Sequence, residues 1–415
     1  MPLGPRHWPI AFAPAWRLAI VLGVLFVACA RQPVVGPPPR EDRAAAQRDS
    51  AERALRAARA ADSAARARER EHERRAAALV RICAGGDVTL GTNLDTAWAR
   101  YASKKLKRPV AALPSPDSLL IPLRPLVADA EIVLLNIEGA VGEGDTSVDK
   151  CAKTTSGCYA LRMPLAAADA IRRVNGKAIV VANLANNHAR DAGAEGLAET
   201  VRALRDAGVV VTGIDSLATV VTTSAGDTVA IIGFSTSTEL TDLRDLDAVR
   251  RHVTRAAASY PRVVVTMHQG AEGATAQRTL DSTEMFLKGS RGNPVAFART
   301  STDAGAHLVI GHGPHVVRAV EWRSGALVVY SLGNLVTYGP FSHREPMRRG
   351  AVVCATVDGN GGVHDAVMRP TVQRAPGRMS ADRGRRALHI ADSLSKLDFP
   401  KTGARIARDG TVRQR

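Results

Sequence analysis

The chain has 415 residues, 45% of them hydrophobic but only 4% aromatic, and a formal charge of +16. That length allows one large or two medium domains with a sizeable core, and the shortage of aromatics makes the core mostly Ala, Val, Leu and Ile. The positive charge gathers on the flanks and leaves residues 79–360 near neutral; without a helix-turn-helix, zinc-finger or RNA-binding aromatic pattern, it points to an anionic membrane surface or polyanion and away from nucleic acid.

Residues 1–29 read as an export signal. Arg6 and Arg17 form a positive region, and LAIVLGVLFVA, residues 18–28, is an apolar run. The run is too short to span a bilayer comfortably and suits the h-region of a signal. Cys29 follows Ala28 directly, as in bacterial lipoprotein signals where that cysteine is lipidated, although Phe26 stands where Leu is usual. The alternatives to lipidation are an uncleaved anchor and a plain signal peptide. All three put the body outside the cytoplasm, and the first two tether it to the membrane.

Residues 30–78 read as a spacer: a Pro-rich linker over 31–39, then Ala, Arg and Glu almost throughout, with Leu55 as the lone large apolar residue. That composition favours a solvated helix and lacks the apolar seam of a coiled coil. The body is expected over 79–370. ALVRICAGG predicts a strand running into a Gly85-Gly86-Asp87 turn, with a loop and a helix after it. A helix is expected over 119–130, and the buried strand EIVLLNI ends in Asn136 and Glu138. A helix over 164–174 precedes the strand 179–182, whose end is rich in lone pairs: Asn183, Asn186, Asn187 and His188. An amphipathic helix over 194–207 follows, stopped by Gly208. Strands are expected over 209–212 and 229–234, a helix over 243–258, and a strand over 261–267 ending at His268. Short strands over 306–310 and 326–330 lead into Gly311-His312 and Ser331-Leu332-Gly333-Asn334, and 351–357 is strand again. Residues 371–415 are expected to form a basic tail with one helix-like run, 385–397, and a loose end.

Cysteine use agrees with export. Cys151 and Cys158 bracket a short polar loop, where an oxidising compartment favours a disulfide. Cys83 and Cys354 sit in apolar strand-like runs and are read as buried free thiols, with a second bridge as the alternative.

Five expected strands end in polar residues of one chemical kind: Asp87, Glu138, Asn187 with His188, His268, and His312 with His315. Singly, each has an ordinary reading as a helix cap, a surface acid or a core histidine bonded to backbone. Converging on one sheet edge, they would make a mixed N/O ligand set suited to Mn, Fe or Zn. Such an ion would activate a water and polarise a phosphoryl or carbonyl oxygen, with His188 placed to protonate a leaving group.

GDVTLG, NIEGAV, ANNHARDAGAEGL, HQGAE, GAHLVIGHGPHVVR and YSLGNLV stand in this order between residues 82 and 355. In that stretch the chain resembles the CapA family of poly-γ-glutamate capsule synthesis proteins, which looks like a branch of the calcineurin-like metallophosphoesterases. The resemblance implies an α/β fold, a metallophosphoesterase-like β-sandwich flanked by helices in four layers, α/β/β/α. It implies metal ligands at Asp87, Glu138, Asn187, His268, His312 and His315, for one or two divalent ions. His188 becomes the general acid and Glu272, of the HxGxE motif, a second catalytic residue. Ser331 and Asn334 of the SLGN motif, with Asn186 and Arg318, are expected at the substrate.

The chain departs from the pattern at Thr89, where a phosphoesterase normally has His, which weakens or removes one metal position. The His312-Gly-Pro-His315 spacing is one residue longer than usual, Gly273 replaces a Tyr, and residues 273–302 form a longer insert. The leading expectation is an exported, membrane-tethered protein of the cell envelope handling poly-γ-glutamate or another anionic polymer, with a site for hydrolysis of a phosphoryl or amide bond. The alternatives are a non-enzymatic accessory partner of membrane synthase subunits, and a metal-dependent phosphoesterase for small envelope metabolites.

Overall fold

The computed structural model describes residues 40–91, 103–104, 107, 115–143, 159–236, 241–339 and 341–415. The export signal with Cys29, the Pro-rich linker and the expected Cys151–Cys158 bridge lie outside the described residues. Helix α1 (Arg40–Ala77) runs unbroken for 38 residues, as an Ala-rich stretch without Gly or Pro dictates. Exposed i,i+4 pairs such as Arg53–Asp49 and Arg66–Asp62 lie along it, each contributing about 0.3–0.5 kcal/mol. Contacts divide the chain into two units, Met1–Ala67 and Arg68–Arg415. No helix among the described residues is long and apolar enough to cross a membrane.

After the end of α1, the larger unit continues with β1 (Val80–Thr89), α2 (Pro116–Leu120), a 3-10 segment (Ile121–Leu126), β2 (Ile132–Ile137), β3 (Ala140–Val141), β4 (Arg162–Met163) and α3 (Ala166–Arg172). Next come β5 (Ile179–Asn183), α4 (Gly193–Asp206), β6 (Val210–Thr212), β7 (Thr219–Thr222), β8 (Thr228–Ser235), α5 (Leu246–Ser259) and β9 (Val263–His268). The insert supplies a hairpin, β10 (Met285–Phe286) and β11 (Gly289–Ser290), and α6 (Pro294–Asp303). Then follow β12 (Leu308–His312), β13 (Val320–Arg323), β14 (Ala326–Val329), β15 (Asn334–Thr337), β16 (Arg349–Val357), β17 (Val363–Arg374), β18 (Arg378–Ala381), α7 (Arg386–Asp398), β19 (Arg405–Ile406) and β20 (Val412–Arg413).

One sheet has the order β18-β17-β16-β1-β2-β5-β6, with β15 also paired to β1; the other runs β13-β14-β12-β9-β8-β7. Strands β1, β2, β5 and β6 are mutually parallel, as are β8, β9, β12 and β14. Their alternate residues bury in opposite directions. Ile82, Ile132, Leu134 and Val181 meet Ile231, Val264, Leu308 and Ile310 between the sheets. Val133, Leu135 and Val180 turn outward onto Leu119, Ile171 and Leu204 of α2, α3 and α4. On the far side Ile232, Phe234 and Val265 turn onto Val249, Val253 and Phe297 of α5 and α6. The result is the expected sandwich of two sheets flanked by helices. Strands buried on both faces read as continuous apolar runs, which is why the sequence shows them so plainly.

Three expectations need correction. Gly85 and Gly86 do not turn the chain, because β1 continues through them to Thr89. They are there for close approach: a Cβ on Gly85 would lie 2.6 Å from Leu335 Cδ2, and one on Gly86 2.0 Å from the Gly333 carbonyl oxygen. We expect Gly86→Ala to lower stability by about 1–3 kcal/mol or more, seen as a lower urea midpoint at unchanged m value. The helix expected over 119–130 ends early, in the 3-10 segment, where Pro122 and Pro125 lack the N–H that a helix interior needs. Residues 371–415 are not a loose tail. Ala387, Leu388, Ala391, Ala404, Ile406 and Val412 bury in the core between the sheets, and Phe399 stacks on Tyr330 with ring centroids 4.9 Å apart.

The free thiols expected at Cys83 and Cys354 are a disulfide, joining residues 271 apart in sequence. Strand β16 runs antiparallel to β1 and sets the two cysteines directly opposite one another. Nothing local marks such a pairing, since only the order of strands in the sheet creates it.

Candidate metal centre

Parallel strands in register end at one level, and the polar residues at their ends come together there. In the first sheet Asp87, Asn136 and Asn183 are cross-strand neighbours, with Glu138 just beyond β2 and residues 184–188 just beyond β5. In the second sheet His268 is paired with His312. The convergence is therefore between the ends of two packed sheets and not along a single sheet edge as expected.

Asp87 Oδ1 accepts from Asn136 Nδ2 at 2.8 Å and lies 3.5 Å from His312 Nδ1. Its Oδ2 is 3.0 Å from His315 Nδ1. The long His312-Gly-Pro-His315 spacing thus brings both imidazoles to one carboxylate. It does so through Gly313 at φ 109° and His315 itself at φ 59°, a region that non-Gly residues seldom occupy outside functional sites. Glu138 Oε1 faces three imidazoles: His268 Nε2 and His315 Nε2 at 3.7 Å each, and His188 Nε2 at 3.9 Å. Glu272 Oε2 is 3.6 Å from His315 Nε2, while its Oε1 pairs with Arg291 Nη2 at 2.7 Å. His188 Nδ1 is 2.5 Å from Asp191 Oδ2, which directs the Nε2 edge toward the cluster. Asn187 stands half-buried beside it on the same turn.

Burial and charge pull these groups apart electrostatically. Burial raises the Glu138 carboxyl to about 8, helped by the charges of Asp87 and Glu272 and opposed by His315. Burial would raise Asp87 as well, but its contacts with His312 and His315 outweigh that and hold it well below the usual range. Burial depresses His268 well below an ordinary imidazole. His315 moves the other way, because the Glu138 charge and contacts with Asp87 and Glu272 overcome its burial.

The residues fit a divalent ion. Among the described residues, Glu138 Oε1, His268 Nε2 and both ring nitrogens of His312 are buried without a hydrogen-bond partner. Buried polar atoms are seldom left so, and four of them beside an ionised Asp87 are best accounted for as ligands. Ligand atoms of Asp87, Glu138 and His315 lie within 4.8 Å of one another. Mixed carboxylate and imidazole donors suit Mn, Fe or Zn. Thr89 does not contribute as the missing His would, since its hydroxyl donates to the Glu138 carbonyl at 2.8 Å.

The cluster opens into a cavity of about 220 Å3. Glu138, His188, Glu272, His315 and Asn334 form its polar wall. Tyr159 and Phe341, stacked with centroids 5.6 Å apart, supply apolar lining together with Phe286 and Met347. Asn334 lines the cavity with its Oδ1 3.1 Å from His315 Nδ1.

Three residues expected at the substrate have their polar groups engaged within the protein instead. Arg318, 1% exposed, is an internal strut: it donates twice to Glu284 at 2.8 Å and once to the Ala276 carbonyl. The Ser331 hydroxyl is fully buried and accepts from Gly333 N, closing the turn before β15. Asn186 spends its amide on Asn136 and the Ile137 carbonyl, and its oxygen accepts from His188 N, so it positions His188.

Residues the sequence reading did not place at the site are Asn136, Asp191 and Arg291. Asn136 bridges Asp87, His268, Asn183 and Asn186. Its signal was an amide inside the apolar run IVLLNI. Asp191 was marked only by its place three residues after His188, and Arg291, in the insert, by nothing local.

The family described as bacterial capsule synthesis protein PGA_cap matches residues 81–338. The capsule biosynthesis protein CapA of Bacillus anthracis is 27% identical over 187 residues, which are 40% of this chain and 42% of that protein. The PGA biosynthesis protein CapA of Bacillus subtilis (strain 168) is 27% identical over 165 residues, 38% of this chain and 42% of that protein. The chain thus spans about two fifths of the length of the curated relatives it matches. Similar solved structures include a phosphatase from Mycoplasma pneumoniae (TM-score 0.43, 11% identity, 75% of this chain and 97% of that one). Another is a 5'-nucleotidase precursor from Thermus thermophilus (TM-score 0.39, 12% identity, 78% and 60%).

Proposed function

Because the chain belongs to the family of bacterial capsule synthesis proteins, we propose that it serves capsule or related anionic polymer synthesis in the cell envelope through a metal-dependent hydrolytic site. The observation that carries this reading is the set of buried ligand atoms without a hydrogen bond on Glu138, His268 and His312, gathered around Asp87 next to a cavity that Glu138 and His315 line. Asp87, Glu138, Asn187, His268, His312 and His315 would hold the ion. When bound, it supplies Lewis acidity toward a phosphoryl or amide oxygen and makes an attacking water more acidic.

The chain's own groups do the rest. Asp191 holds the His188 ring by Nδ1, leaving Nε2 toward the cavity, where it would hand a proton to the leaving group. Glu272, fixed by Arg291, steadies His315 on the side away from Asp87. The wall formed by Tyr159 and Phe341 keeps water from one flank of the cavity. Export through residues 1–29 with lipidation at Cys29 would place this site outside the cytoplasm at the membrane, beside synthase subunits and a polymer such as poly-γ-glutamate.

In a metal-loaded chain, His188→Ala should lower kcat about 10²–10⁴-fold on whichever phosphoester or γ-glutamyl amide a substrate screen finds to be turned over. Metal content should stay unchanged. A second reading, a non-enzymatic accessory subunit that keeps the ion for structure, is favoured by Thr89, whose hydroxyl is committed to backbone. That reading prevails if His188→Ala alters neither any measured turnover nor polymer production in cells.

A further inference from the structure

Helix α7 and the β19–β20 hairpin enclose a groove of about 510 Å3 that shares no lining residue with the metal cavity. Arg383 and Arg385, from the turn before α7, and Arg408, from the turn of the hairpin, stand exposed on its rim. Leu388 and Ile406, both almost fully buried, contribute its apolar lining, beside His389 and Asp392. None of the three guanidinium groups makes a hydrogen bond or ion pair among the described residues.

The neighbouring carboxylates are already engaged. Asp382 pairs with Arg349 at 2.8 Å and caps the start of α7 through Arg386 N at 2.8 Å. Asp392 pairs with Arg415 at 3.0 Å and accepts from Ile406 N at 2.9 Å. Asp409 accepts from Thr411 N at 2.9 Å. The three guanidinium groups of the rim thus outnumber the one carboxylate in the lining, Asp392, which Arg415 already holds. Arg385 moreover sits at φ 55°, a conformation that non-Gly residues adopt at a cost and that clusters at ligand-holding positions.

We propose that this groove binds a polycarboxylate chain, its carboxylates on the arginine rim and its methylene groups on the Leu388 and Ile406 lining. Guanidinium groups pair with carboxylates bidentately. Three of them, supplied by two separate segments around so large an opening, match repeated charges along a polymer better than one small anion. The inference rests on the reading of the chain as serving an anionic envelope polymer, but not on the chemistry of the metal cavity.

The test is calorimetric titration of the full chain with poly-γ-glutamate at two salt concentrations. R383E/R385E/R408E should weaken binding at least about tenfold. R250E/R251E/R255E, the same charge change on exposed residues of α5, should change it by less than about threefold. Wild-type binding should weaken as salt rises. Circular dichroism and divalent-metal uptake would show that both variants remain folded. Equal weakening by the two variants, or none by the first, overturns the groove as the site. So does wild-type binding to phosphatidylglycerol vesicles in place of the polymer. Absence of polymer binding by the wild type refutes the groove, whereas absence of metal uptake with polymer binding intact refutes the hydrolytic site.

Discussion

Asp87→Ala should lose divalent-ion binding, with affinity falling by more than about 100-fold. Loss of a supporting outer contact alone typically costs about 10–100-fold, and Asn136→Ala should fall in that range because Asn136 Nδ2 holds Asp87 Oδ1. Asp87 is the natural anchor, since its carboxyl stays ionised under the hold of His312 and His315 while Glu138 beside it is raised to about 8. A ligand must give up its proton to bind a metal. At neutral pH the Glu138–His315 pair carries at least one proton that the ion displaces. Affinity should therefore rise with pH through the range around 8 in which Glu138 titrates, about tenfold per unit for each proton displaced. Titration with Mn²⁺ across that range, in buffers of different ionisation enthalpy, reads both affinity and proton release. Wild-type affinity in Asp87→Ala, or affinity independent of pH, would defeat this account.

How much of this was legible follows from how local each signal is. Strands β2, β5, β9 and β12 are continuous apolar runs ending in polar residues, so their existence and the residues near their ends could be read directly, whereas the two glycines of β1 disguise its continuation to Thr89 as a turn. That Asp87 and His268 come from different sheets could not, because a strand buried on both faces carries no mark of which sheet it joins. The fate of Arg318 was hidden for a related reason. An arginine just past a histidine motif reads the same whether it meets substrate or, as here, a half-buried Glu284 supplied by the insert. Asn186 was placed correctly in the cluster and wrongly in its task, since whether its amide meets ligand or backbone depends on β2 lying next to β5. Composition misled in the C-terminal region. Twelve basic residues among the last 55 suggest a solvated tail, yet Arg386 and Lys396 exposed on α7 are compatible with Ala387, Leu388 and Ala391 on its inner face.

Opening the Cys83–Cys354 bridge should cost stability on a scale that few single contacts reach. The two cysteines close a loop with a separation of 271 residues, and cross-links closing loops of such length contribute about 2–5 kcal/mol by limiting the unfolded chain. For a body of this size that corresponds to a fall in Tm of about 3–7 °C. Native contacts reinforce the bridge. Arg369 donates to Asp129 at 2.6 and 2.7 Å and to the Leu126 carbonyl at 2.6 Å, with Nη1 3.1 Å from Cys354 Sγ. The guanidinium holds the Asp129 carboxyl at about 2, so this clamp persists from neutral pH down past 4 and loosens only as pH approaches 2. The bridge ties β16 to β1 on the stretch before Gly85, and β1 goes on to carry Asp87. Its loss should therefore loosen the metal centre as well as the fold. The experiment uses a Cys29→Ser, Cys151→Ser, Cys158→Ser chain, in which reduction can open no other bridge. Thiol titration of that chain under oxidising conditions should find no free thiol after unfolding. Reduction, or Cys83→Ala with Cys354→Ala, should lower the urea midpoint and weaken Mn²⁺ binding together. Two titratable thiols in the oxidised chain, or an unmoved midpoint, would show that the strands hold without the bridge.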